Sequence, residues 1–220
     1  VKRLVVLISG QGRNLGALID HCAAGSVPAQ IVAVVSNRPE AAGLAKARAA
    51  GIATEVIDHR SYADRASFDA ALRAAIDAYA PDALILAGFM RILTPEFTRH
   101  YFGRALNIHP SLLPAHPGLH THRAVLAAGD AQHGASVHFV TAALDGGPLV
   151  LQGAFKCGPE DTEQSLSERV MNLVELKIYP QAVAWLVTGQ LQLQADSTVV
   201  FRGAPLLQPA TLDDLDTVFR

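Results

Sequence analysis

An asparagine and a histidine two residues apart, Asn107 and His109, close a short apolar run just before Pro110. On an extended strand that spacing turns both side chains to one face. An amide and an imidazole then converge on one point, and Pro110 and Pro114 stiffen the exit loop. Such a pair can stabilise negative charge growing on an oxygen and can move a proton. Asp145 precedes Gly146 and Gly147, between two further apolar runs. Asp-Gly is a common turn signal and that alone would explain it. The alternative is a carboxylate held beside an imidazole, a pairing that favours the charged ring. A third feature, Ser9-Gly10-Gln11-Gly12-Arg13-Asn14, joins a strand pattern to a helix pattern. Glycines there permit a tight turn, and the helix start offers free N–H groups to an anion such as phosphate. Gly16 falls one residue early for the dinucleotide fingerprint, and no Gly-Lys-Ser/Thr is present. A plain strand-to-helix turn capped by Asn14 is the competing account.

Histidines are dense around this region. His116, His120, His122 and His133 read as loop or solvent-facing residues. A metal site is the rival explanation, but no cysteine or repeated ligand pair lies near His120 and His122. No metal is expected.

These groups need a frame. Residues 4–8, 31–35, 54–57 and 83–87 read as strands. Helical spacing separates them: Leu15, Leu18, Ile19 and Cys22; then residues 41–50, stopped by Gly51; then Phe68, Leu72, Ala75, Ile76 and Tyr79, ended by Pro81. Strands apolar on both faces and separated by helices imply a parallel sheet covered on two sides. Ligands bind such a sheet at the C-terminal ends of its strands, where Asn107 and His109 fall. The second half differs. Residues 105–108 form a strand, 109–122 a Pro- and His-rich loop, and 136–140 and 149–154 two more strands. A long helix over 162–188 is kinked or split at Pro180, and 191–201 suggests a small hairpin. No repeat or linker interrupts the chain. The expected fold is one α/β domain over residues 1–220: a Rossmann-like, mostly parallel twisted sheet flanked by helices, with an antiparallel C-terminal portion.

Bulk composition agrees. Half of the 220 residues are hydrophobic and 17% charged, ample for a buried core. A net charge of -2 leaves no basic footprint for nucleic acid or an anionic membrane. Cys22 and Cys157 stand far apart in no metal spacing, as free thiols do in a reducing compartment. No apolar run spans a bilayer and no signal peptide is visible, so a cytoplasmic protein is expected.

The motifs taken together resemble a known family. Ser9-Gly10-x-Gly12-x-Asn14-Leu15, the run Leu86-Ala87-Gly88-Phe89-Met90-Arg91-Ile92-Leu93, Asn107-Ile108-His109-Pro110-Ser111-Leu112-Leu113-Pro114, Pro117-Gly118-Leu119-His120-Thr121-His122, His133-Gly134-x-Ser136-Val137-His138-Phe139-Val140 and Leu144-Asp145-Gly146-Gly147-Pro148 are similar to those of phosphoribosylglycinamide formyltransferases. The match runs from about residue 4 to 152 and more loosely to 194. The resemblance implies transfer of a formyl group from 10-formyltetrahydrofolate, the co-substrate, to glycinamide ribonucleotide in purine synthesis. It implies catalytic roles for Asn107, His109 and Asp145. It assigns the ribonucleotide to the backbone of Gly12, Arg13 and Asn14, with Glu175 contacting the glycinamide portion. It assigns the folate to Arg65, Asn107 and the segment Met90, Arg91, Ile92 and Leu93. Residues 1–104 then form a phosphate-binding lobe and 105–220 a folate-binding and C-terminal lobe sharing one sheet. Small molecules are the expected partners, and a homodimer is compatible with the sequence.

Three departures from the family pattern stand out. Arg13 replaces a usual serine, its side chain either meeting the phosphate or pointing to solvent. Gly16 replaces a common glutamine. One extra residue lies between Arg169 and Glu175, and Leu176 replaces a usual histidine. Other formyl-handling enzymes are the nearest rivals. A formyltetrahydrofolate hydrolase typically carries a further N-terminal domain, and a methionyl-tRNA formyltransferase a basic C-terminal one; neither is expected here. A sugar-nucleotide formyltransferase and a non-catalytic nucleotide-binding module remain open.

Overall fold

A computed structural model describes residues 1–220. The elements follow in order: β1 (Lys2–Ile8), α1 (Arg13–Ala23), β2 (Ala29–Ser36), α2 (Gly43–Ala49), β3 (Ala53–Val56), α3 (Arg65–Asp77), β4 (Ala83–Leu86), α4 (Pro95–His100) and β5 (Ala105–His109). Then come α5 (Thr121–Ala128), β6 (Gln132–Phe139), β7 (Leu149–Lys156), α6 (Glu163–Arg169), a π-helical turn (Val170–Glu175), α7 (Leu176–Val187), β8 (Leu191–Leu193), β9 (Val199–Phe201) and β10 (Ala204–Pro205). Seven strands form one sheet in the order β3-β2-β1-β4-β5-β6-β7. The first five run parallel, while β6 and β7 are antiparallel to their neighbours. The parallel part is what the alternation of strands and helices anticipates, and β6 and β7 agree with the expected antiparallel C-terminal portion. A separate three-stranded antiparallel sheet, β10-β9-β8, extends the expected hairpin by one strand.

Burial explains the strand composition. Leu4 to Ile8 are completely buried because helices cover both faces of the sheet. One face packs into a large apolar cluster that includes Leu15, Leu18, Ile178, Val183 and Trp185. The other packs with Phe68, Leu72, Phe97 and Tyr101. The tail closes the outer edge: the Ala210 N–H donates to Val150 O (2.9 Å) and Gln152 N–H donates to Ala210 O (2.8 Å). That contact satisfies backbone groups of an edge strand otherwise open to pairing.

Two differences from the sequence reading have clear causes. Two short helices, α4 and α5, occupy stretches left without helices. Helix α4 carries an ordinary start signal, Thr94 Oγ1 accepting from Phe97 N (3.3 Å) with Pro95 next. Helix α5 starts inside the His-rich segment, from His120 in a left-handed conformation. The long C-terminal helix is interrupted at residues 170–175, upstream of Pro180, which lies inside α7. Pro180 lacks the N–H that would reach the carbonyl of Leu176. Leu176 is the first residue of α7, immediately after the π turn, so the interruption of the helix lies upstream of the bond the proline forgoes.

Candidate active site

The parallel strands end together, and their exit loops surround a cleft of about 870 Å³. Side chains lock those exits to one another. Ser9 Oγ, after β1, donates to Asn37 Oδ1 after β2 (2.5 Å) and accepts from Met90 N after β4 (2.7 Å). One buried serine thus ties the glycine loop to the segment that begins at Met90.

Gly12, in the left-handed region (φ 67°), precedes α1, whose start has no side-chain cap. The first N–H groups of α1 therefore lack intrahelical or side-chain acceptors and border the cleft. A Cβ at Gly12 would lie 2.7 Å from Gly43 Cα, so both conformation and packing require glycine there. Asn14 does not cap the helix. Its Nδ2 donates to Glu175 Oε2 (2.6 Å), and burial pushes the Glu175 carboxyl above its ordinary range, opposed by that hydrogen bond. The Arg13 side chain borders the cleft and is tied to the segment at the end of α6. Nη1 donates to Glu168 Oε2 (3.2 Å) and Nη2 to Asn172 Oδ1 (2.6 Å).

Asn107 and His109 share a face of β5 and line the cleft with Asp145. His109 Nε2 lies 2.9 Å from the carbonyl of His116, so this nitrogen carries a hydrogen and donates. Nδ1 is 3.5 Å from Asp145 Oδ2, too long for a direct hydrogen bond and suited to one shared with a water or substrate atom. Asp145 sits at φ 48° and accepts from the N–H of Gly118 (2.8 Å). Asp tolerates that left-handed conformation better than most residues.

His138 was given no role from sequence. It faces Asn107 directly across β5 and β6. Its Nδ1 lies 2.9 Å from Phe139 O and must donate to it. Burial pushes the ring's pKa down, so the neutral form leaves Nε2 as an acceptor for Asn107 Nδ2 (3.1 Å). This orients the Asn107 amide. Only the cross-strand register reveals it.

Arg65, Met90, Arg91 and Ile92 line the same cleft. Leu93 does not: it is buried beside Phe89 and Phe97 in the smaller apolar cluster. Met90, Ile92, Leu119 and Leu144 leave exposed apolar surface at the rim. Arg38, also missed, lines the cleft beside the glycine loop. Of the histidines expected in loops or solvent, His133 needs correction. His133 is fully buried on β6, its Nε2 2.9 Å from His122 Nδ1, and burial pushes its pKa to about 4. His120 and His122 line the cleft; His116 pairs with Asp130 (2.6 Å).

A formyl transferase family model matches residues 2–183. The chain belongs to the formyl transferase family. Among relatives of this formyltransferase, the phosphoribosylglycinamide formyltransferase of Escherichia coli (strain K12) is 49% identical over 194 residues, 88% of this chain and 91% of that one. A trifunctional purine biosynthetic protein adenosine-3 of Bos taurus is 47% identical over 191 residues, 87% of this chain and 19% of that protein. The solved phosphoribosylglycinamide formyltransferase of Coxiella burnetii shares 44% identity at a TM-score of 0.90, covering 96% of this chain and 98% of the other. No helix of this formyltransferase is long and apolar enough to cross a membrane.

Proposed function

We propose that this formyltransferase moves the formyl group of 10-formyltetrahydrofolate to the amine of glycinamide ribonucleotide. The observation that carries the reading is the convergence, in one cleft, of Asn107, His109 and Asp145 with an uncapped helix start and an apolar rim. The ribonucleotide phosphate rests on the N–H groups of Gly12, Arg13 and Asn14, where the helix dipole favours an anion. Glu175 meets the glycinamide portion. The folate lies along Arg65, Met90, Arg91, Ile92 and the backbone beside Leu93, covering apolar rim surface.

The neutral amine attacks the formyl carbon and the carbonyl oxygen becomes an oxyanion. The Asn107 amide and the protonated His109 ring stabilise that charge, at about 3–4 kcal/mol for a well-placed donor. His138 holds the Asn107 amide in the donating orientation, as a positioning residue. The C–N10 bond then breaks. The amine's proton passes through a water held by Asp145 to N10, giving formylated ribonucleotide and tetrahydrofolate. The formyl donor arrives activated, so position and electrostatics are what the protein supplies.

The test is a formyl-transfer assay with both substrates. Formylated ribonucleotide should accumulate one-for-one with tetrahydrofolate. His109→Ala and Asp145→Asn should each lower kcat by roughly 10²–10⁴ without unfolding the protein. Release of formate in place of ribonucleotide formylation would reassign the chain to hydrolysis.

A further inference from the structure

Arg13 and Asn14, the first two residues of α1, both reach the segment linking α6 to α7. Arg13 meets Glu168 at the end of α6 and Asn172 in the π turn. Asn14 meets Glu175, the last residue of that turn. An extra residue in an α-helix rotates everything after it by about 100°. A π turn absorbs the residue locally, at the expense of less regular hydrogen bonding. Here α6 and α7 keep their buried faces, Leu166 on one side and Ile178, Tyr179, Ala182 and Val183 on the other. The start of α1 is therefore bonded to the π turn itself, through Arg13 to Asn172 and through Asn14 to Glu175.

We propose that Arg13 is a positioning residue of the ribonucleotide site: with Asn14 it clamps the π turn so that Glu175 stays at the cleft. This rests on the reading of Glu175 as a substrate contact. Three further facts fit. Glu175 is buried, and Asn14 is its sole hydrogen-bond partner. Arg13 neutralises Glu168, a carboxylate that would otherwise stand uncompensated near the helix start assigned to the phosphate. The positive charge of Arg13 also favours the ionised form of Glu175.

The experiment compares Arg13→Ser, Asn172→Ala and the double variant. The readouts are amide hydrogen exchange over residues 170–175 in the ligand-free protein and steady-state kinetics for each substrate. Each single change should speed exchange in that segment and raise the ribonucleotide KM about three- to tenfold, the range of one net hydrogen bond. The folate KM and kcat should stay within about twofold, the scatter expected of an unaffected surface position. The double variant should be no worse than Arg13→Ser alone, since both remove one interaction. Unchanged exchange in Arg13→Ser, or additive effects in the double variant, would overturn the clamp. So would a lower ribonucleotide KM in Asn172→Ala, the sign of an arginine freed to grip phosphate directly. Glu175→Gln separates the two readings. An unchanged ribonucleotide KM there overturns the substrate role of Glu175. A raised KM there with an unchanged one in Arg13→Ser overturns the clamp alone.

Discussion

At the scale of single residues, the site depends on polar groups held out of water by specific partners. Asn107 and His109 were legible because a strand's period of two puts them on one face whatever else the chain does. Their partners were not, because His138 and the His116 carbonyl arrive from other segments. Glu175 shows the energetic side of such placement. Burial raises its carboxyl pKa, so the fold favours the protonated form. The sign follows: this contribution to stability is full below the ordinary carboxyl pKa near 4.5 and is lost as pH rises through the raised folded value. A glutamine can accept the same hydrogen bond from Asn14 without a charge to bury. Glu175→Gln should therefore melt higher than the parent at pH 7–8, by about 2–4 °C per kcal/mol recovered, while losing affinity for ribonucleotide. The gain should vanish by about pH 4, below the ordinary carboxyl value. Calorimetric melts across that range check it, and equal melting temperatures at pH 8 would remove the argument. A stability gain from removing a site group is the expected trade-off at a functional position.

At the scale of elements, the first half was readable because most of its strands are continuous β-branched or aliphatic runs punctuated by Gly and Pro. The His-rich segment was not, since α5 is short and its histidines face a cleft and a buried strand that the local pattern does not disclose. The π turn was invisible for another reason: an extra residue leaves apolar spacing much as before, and tertiary packing decides where the helix absorbs it. The glycine loop is the element whose reading gained most. Gly12 is held in the left-handed region against Gly43, so Gly12→Val meets both a strained backbone and a clash. The change should raise the ribonucleotide KM at least tenfold, about 1.4 kcal/mol, with the folate KM little altered. It should also lower the melting temperature. Parallel determination of both KM values tests it, and equal loss for the two substrates would detach the loop from the phosphate.

At the scale of the whole molecule, one side chain bridges the strands that carry the two groups of site residues. Tyr179 Oη, fully buried on α7, lies 2.6 Å from Leu86 O at the end of β4 and 3.0 Å from Leu106 O in β5. Tyr179→Phe keeps the ring but removes the one hydroxyl hydrogen that those two carbonyls share. The loss should destabilise the protein by about 1–3 kcal/mol and lower kcat, because β4 leads to Met90 and β5 carries Asn107. Urea unfolding with the transfer assay measures both, and an unchanged midpoint would show that the carbonyls are satisfied otherwise. Local sequence determined much here: alternating apolar runs dictate strands and helices, a two-residue spacing aims Asn107 and His109 together, and glycines mark where backbone must turn. Those follow from forces acting within a few residues. Tertiary structure alone decided that β5 pairs antiparallel with β6 so that His138 orients Asn107. It alone turned Arg13 toward Asn172 and carried Asn14 past its capping position to Glu175. Partners tens of residues apart along the chain are selected by register and packing, which no local pattern encodes.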